Sequence, residues 1–245
     1  MTDQVLTEKF SEPLNGARAA TIKVDTRHGN LFVDRLAGDD RLLAAGTLEY
    51  VAKRGLPTRL LTSSDHATRL AIEGAGGSRA VLRLPWQACN AATEWNIHLS
   101  PNVPLEIDAI SGGGHIKLDL EGMRVTRVSA ESGGGNMEVC MPENAANLDV
   151  AATTGGGNVT VEIGRGTTGG NTVKAESGAG NVDVLVPGGI AARIQAVSGM
   201  GRVIVPPGFD MIAEHTYQSA DYDGARDRID ISAKSGLGNV SVTTR

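Results

Sequence analysis

Aromatic side chains are scarce in this sequence: three Phe, three Tyr and two Trp stand beside 32 Gly in 245 residues. Glycine at that level without a three-residue collagen period points to a chain of many turns. Cysteine is nearly absent. Cys89 and Cys140 lie far apart and outside any CxxC spacing, which argues against a disulfide framework or a zinc site and leaves both as free thiols. No run of 18 apolar residues occurs, and the N-terminus MTDQVLTEKFSEPLNG has no basic start, apolar stretch or small-residue cleavage site. The expectation is a cytoplasmic chain without direct membrane insertion. Basic excess is missing as well: the formal net charge is -5 and Lys and Arg are scattered, so no nucleic-acid footprint is present.

What is there is a repeat. SGGGH (111–115), SGGGN (132–136), TGGGN (154–158), SGAGN (177–181), SGMGR (198–202) and SGLGN (235–239) follow one another at steps of 21, 22, 23, 21 and 37 residues, with a weaker copy, TRHGN, at 26–30. Glycine at such corners serves either positive φ or close backbone approach. If φ is positive at Gly156, Gly156→Ala costs about 1 kcal/mol.

The flanks alternate with period two, as a strand with one buried face does. After the corner come Ile116, Met137, Val159, Val182, Val203 and Val240, then Leu118, Val139, Val161, Val184, Val205 and Val242 two positions on. Between them stand Lys117, Glu138, Thr160, Asp183, Ile204 and Ser241, a mostly polar column. Ahead of the corner Ile107, Val128, Val150, Val173, Ile194 and Ile231 hold one position, and Ala109, Ala130, Ala152, Ala175, Ala196 and Ala233 another. Six alanines at one repeat position mark a place where two walls converge and only a methyl fits.

The predicted fold is all-β: a single-stranded, β-helix-like solenoid of about six glycine-cornered repeats of 21–23 residues. It forms one domain over 1–245, with an irregular, antiparallel opening section at 20–103, regular repeats at 104–205, an insertion at 206–228 and a closing coil at 229–245. In the opening section TLEYVAK, TRLAIEG, RAVLRLP and EWNIHL read as strands. The structural corner residues are Gly112, Gly114, Gly133, Gly135, Asn136, Gly155, Gly157, Asn158, Gly178, Gly180, Asn181, Gly199, Gly201, Gly236, Gly238 and Asn239. Stacked Asn136, Asn158 and Asn181 are expected to form a side-chain amide ladder.

Chemistry is harder to find. Gly164, Gly166 and Gly169 match G-x-G-x-x-G, but a strand-like NTVKAESGAGN follows where a dinucleotide site needs a helix N-terminus. Calcium rolls repeat every nine residues with Asp ligands, unlike this step and its Asn. His28, His66, His98, His115 and His215 show no HxH or HExxH spacing. Glu138 and Asp183 in the outward column are the carboxylates a glycosidase or lyase would use, yet such residues are routine on a solvated face. The reading is no enzyme, no cofactor and no metal. Cys140 falls in an outward register with no basic neighbour to activate it.

The repeated S-G-x-G-[NH]-[IVM]-x-[VL] units, preceded by EWNIHLSPNVPLEIDAISGGGHIKLDLEGMRV and closed by YDGARDRIDISAKSGLGNVSV, resemble a bacterial family over roughly residues 20–245. It is the toastrack-like group, which includes adhesin domains and the C-terminal domain of cell-wall-active antibiotic response proteins. The resemblance implies a β-solenoid, often joined to transmembrane helices and linked to envelope-stress regulation, and it implies no catalytic residues. A non-enzymatic scaffold with a protein partner, a membrane protein in the envelope-stress case, is therefore expected. A surface adhesin and a carbohydrate-active β-helix are the alternatives. Phe209, Tyr217 and Tyr222 in the insertion mark a candidate interaction surface, and the exposed ends a route to self-association.

Overall fold

The period-two alternation is realised as strands wherever the backbone is described. A computed structural model describes residues 4–64, 66–75 and 93–245. In chain order its strands are β1 (Val5–Pro13), β2 (Ala19–Asp25), β3 (Asn30–Arg35), β4 (Leu42–Val51), β5 (Thr58–Ser64), β6 (Ala67–Glu73), β7 (Glu94–Leu99), β8 (Leu105–Ser111), β9 (Ile116–Asp119), β10 (Val125–Ser132), β11 (Met137–Cys140), β12 (Asp149–Thr154), β13 (Val159–Glu162), β14 (Gly170–Ser177), β15 (Val182–Val186), β16 (Ala191–Ser198), β17 (Val203–Ile204), β18 (Phe209–Ala213), β19 (Thr216–Ser219), β20 (Arg228–Ser235) and β21 (Val240–Thr244). One helical turn, Ala52–Arg54, is of the 3-10 type. TLEYVAK, TRLAIEG and EWNIHL fall on β4, β6 and β7, whereas RAVLRLP lies outside the described residues.

Two large mixed sheets share one apolar core. The first is ordered β1-β4-β7-β3-β9-β11-β13-β15-β21-β17 and the second β18-β19-β16-β20-β14-β12-β10-β8-β2-β6-β5. Each glycine corner links a strand of the second sheet to the next strand, in the first. The linked pair is called a rung here. Rungs stack in register: Val128, Val150 and Val173 are successive partners, as are Ala130, Ala152 and Ala175. The six repeat alanines are all fully buried. Burying each Val or Ile in the flanking columns contributes about 1.5–3 kcal/mol, which makes these columns the main source of stability.

The opening section is mixed rather than antiparallel. β1, β4 and β5 pair antiparallel with their neighbours, but β2 and β3 join β6, β7, β8 and β9 in parallel, because TRHGN is a corner like the later ones. β1 carried no strand expectation; it runs along β4 and edges the first sheet.

Chain order and stacking order differ at the C-terminal end. β14 pairs with β20, and β20 in turn with β16; β15 pairs with β21, and β21 with β17. The segment 229–245, expected to close the stack, thus sits between the rungs of β14/β15 and β16/β17. The insertion makes this path possible. Its β18–β19 hairpin extends the second sheet beyond β16, and residues 220–227 return to start β20.

Candidate functional site

The corner itself is a hydrogen-bonded column built from two residue types. Ser132 Oγ donates to the carbonyl of Gly114 in the rung below (3.0 Å) and accepts from the Gly135 N–H of its own rung (3.0 Å). Thr154, Ser177, Ser235 and Ser198 repeat the arrangement in stacking order. These hydroxyls are buried or nearly so, and each is satisfied as donor and acceptor.

The asparagines do form a column, but not the expected amide ladder. Asn136 Oδ1 accepts from the backbone N–H of Asn158 (2.9 Å), Asn158 Oδ1 from Asn181 N–H and Asn181 Oδ1 from Asn239 N–H. The geometry favours the stronger constraint: a side chain tied to the next rung's backbone fixes register.

Close approach, not positive φ, explains the glycines. None of the S-G-x-G-N glycines has positive φ. A Cβ on Gly155 would strike the Gly133 carbonyl oxygen, and one on Gly157 the Gly135 backbone, whereas a Cβ on Gly156 meets only Gly134 Cα at 3.8 Å. The expected φ penalty at Gly156 is therefore overturned. Ala179, Met200 and Leu237 occupy that middle position in other copies, which was the sequence signal for it. The second corner of each repeat is built differently. There Asn144 and Asn147 adopt positive φ, and Asn147 Oδ1 accepts from Gly170 N–H (3.1 Å). Gly166 and Gly169 of the G-x-G-x-x-G string turn at this corner, and β14 follows it.

Where the repeat breaks, polar and aromatic groups gather. Tyr222 is only 3% exposed; its hydroxyl donates to Asp230 Oδ1 (2.6 Å) and its ring lies under the guanidinium groups of Arg193 (4.3 Å) and Arg228 (5.3 Å). Burial, then the bond to Asp230, raises the Tyr222 pKa. Arg193 Nε donates to Gln218 Oε1 (2.9 Å), and Asp227 Oδ1 accepts from Gly169 N–H (2.7 Å). Tyr222 therefore pins the returning loop to the sheet and is not available as a contact surface. Phe209 and Tyr217 are half-buried against the core, while Met211 and Ile212 of the same hairpin are exposed.

Beside this network a concavity of about 410 Å³ is lined by Thr172, Lys174, Arg193, Gln195, Thr216 and Ser232 among others. Its cations are already engaged, Lys174 with Glu176 (3.0 Å) and Arg193 with Asp223 (3.5 Å). Among the described residues no group of three His, Cys, Asp or Glu side chains could hold a metal ion. Glu138 is tied to Lys117 (3.0 Å), and Thr160 stands between it and Asp183, so the two carboxylates do not face each other.

A family model described as the N-terminal domain of toast_rack, DUF2154, matches residues 1–162. The chain belongs to the toast_rack family. Among curated proteins none matches this toast_rack chain. The crystal structure of a putative cell adhesion protein from Clostridium sporogenes ATCC 15579 is 23% identical with a TM-score of 0.64, each chain covered to 100%. That of a putative adhesin from Bacteroides fragilis NCTC 9343 is 12% identical with a TM-score of 0.40, covering 99% of this chain and 97% of its own. The first likeness is one of fold.

Other titratable groups of the toast_rack chain lie on its outer columns. Cys140 is half-buried; burial, then Glu138 and Asp119, raises its pKa, the opposite of what a reactive thiol needs. Burial also raises Asp183, and burial with Arg54 lowers His28. No helix among the described residues is long and apolar enough to cross a membrane.

Proposed function

We propose that this toast_rack chain is a single-stranded β-solenoid that serves as a non-enzymatic interaction scaffold, acting from the cytoplasm in the envelope-stress response through a membrane protein. The observation that supports it most is the division of labour among its residues. The repeats are used up by the core and the corner columns, and the outward column of the regular repeats holds the Lys117–Glu138 pair and, beyond Thr160, Asp183 by itself. The candidate contact surface is the exposed part of the 206–228 insertion around Ile212.

A second reading, surface adhesin, draws on the description of the Clostridium sporogenes protein, whose fold is similar. Cross-linked pull-down from envelope fractions, with the wild type and a variant carrying Ile212→Asp, separates them. The scaffold reading expects one integral membrane protein in stoichiometric yield, lost in the variant. Native protein found on the cell surface with no envelope partner would overturn it in favour of adhesion.

A further inference from the structure

The two sheets do not end together. At the C-terminal end of the stack the first sheet stops at β17, while the second continues for two more strands, β19 and β18. β17 is only two residues long, and Pro206 and Pro207, which donate no ladder hydrogen bond, follow it closely. The hairpin is thus a ledge whose inner face lacks the opposing strands that cover the core elsewhere.

That inner face is apolar. Ile194 is a core residue; Tyr217 is its partner across β16 and β19, and Met211 is the partner of Tyr217, so the three lie on one side of the sheet. Met211 is nevertheless 64% exposed, and Ile204 on the edge strand is 52% exposed in a column otherwise held by Lys117, Glu138, Thr160, Asp183 and Ser241. Met211 faces inward and Ile204 outward, so this end of the stack exposes apolar side chains on both sides, as an association site does.

The missing part is two strands in the first-sheet layer, and a second copy of this chain carries two surplus strands of its own. We infer that two copies close tail to tail about a two-fold axis parallel to the strands, each hairpin occupying the layer in which the other copy's first sheet is short. Met211, Phe209 and Tyr217 of one copy then face the same residues of the other, and β18 of each lies beside β17 of its partner. The short β17 limits backbone pairing, so side-chain packing between the two hairpins holds the contact. An isologous closure of this kind uses up both ledges and does not propagate. The inference concerns the chain alone and is independent of any envelope partner.

Light scattering after gel filtration of the full chain, over a wide range of concentration, tests it. The expected result is a dimer that Met211→Glu with Ile204→Lys converts to a monomer, halving the mass, with a melting transition that stays cooperative and no longer depends on concentration. Leu60→Lys, on the edge strand β5 at the other end, should leave the dimer intact. A monomer throughout for the wild type would overturn the inference, as would a dimer that survives the double variant but not Leu60→Lys. Species that grow steadily with concentration would also overturn it, by showing an open head-to-tail array.

Discussion

The two ends of the stack solve the same problem differently. At the end formed by β1 and β5, Arg59 reaches from one sheet to the other. It pairs with Glu8 (2.5 Å) and Glu12 (3.3 Å) and covers Phe10, whose ring centroid is 5.4 Å away. At the end formed by β17 and the β18–β19 hairpin no such clasp spans the sheets among the described residues, and Met200, Ile204, Met211 and Ile212 are exposed. Repeat proteins need polar caps on their terminal units to stay soluble, and an end without one is a place for a partner. Val5, Leu56 and Leu60 are exposed at the first end too, so what distinguishes the two ends is the clasp between the sheets and not the amount of apolar surface.

Between the ends lies the body of the stack, and the largest effect should come from breaking it. Val161→Asp puts a charge where the side chain is fully buried and has no partner, so loss of a cooperative melting transition and aggregation on expression are expected. A wild-type-like melting curve would show that this column does not face the core. Next comes the corner. Gly157→Ala forces a methyl against the Gly135 backbone and should cost about 1–3 kcal/mol, whereas Gly156→Ala should stay within about 0.5 kcal/mol of wild type by urea unfolding.

The closed end is tested by Arg59→Ala. It removes two partly buried ion pairs and the cover over Phe10, and a loss of about 1–2 kcal/mol is expected, largest at low salt. The smallest effect concerns Asp183. Its carboxyl is raised in the folded state, so the folded chain holds its proton to higher pH than the unfolded chain does. The charged form therefore costs stability at neutral pH and costs nothing below the unfolded pKa. Asp183→Asn should raise the melting temperature modestly at neutral pH, and the gain should vanish as the pH falls through the ordinary carboxylate range. A gain that persists in acid would assign the effect to something other than ionisation.

Much of this was legible in the sequence because it is local and repeated. The alternating columns, the alanine position and the corner string each follow from spacing alone, and the ladders place them as expected. Three things were not legible. The role of the glycines was misread at Gly156 because close approach involves the rung below, which no local string displays. The buried position of Tyr222 depends on Arg193, Arg228 and Asp230 converging across two strands and a loop.

The order of the rungs was hidden for a deeper reason. Every rung presents nearly the same apolar columns, and the corner column differs at one place: Arg202 N–H donates to Asn239 Oδ1, but the Arg202 side chain offers no oxygen to a following rung. The path of the insertion and the Tyr222 contacts, outside the repeat, agree with SGMGR as the last rung. Function was legible only as a negative pattern: no gathering of ionic groups in the regular repeats, and a break in the repeat where polar and aromatic groups do gather.

The identity of the open end depends on which rung is last, and disulfide trapping tests that most directly. In a background with Cys89 and Cys140 changed to Ser, cysteine pairs would be introduced at 172 with 230, at 230 with 193, and at 172 with 193. Adjacent parallel strands lie about 4.8 Å apart, within disulfide reach, and strands two steps apart lie beyond it. Thr172 is the neighbour of Asp230 in the structure, Asp230 is the neighbour of Arg193, and Thr172 and Arg193 lie two strands apart. Rapid oxidation of the first two pairs and none of the third is the expected result. Oxidation of the 172–193 pair would place β16 directly on β14 and contradict the order of the stack.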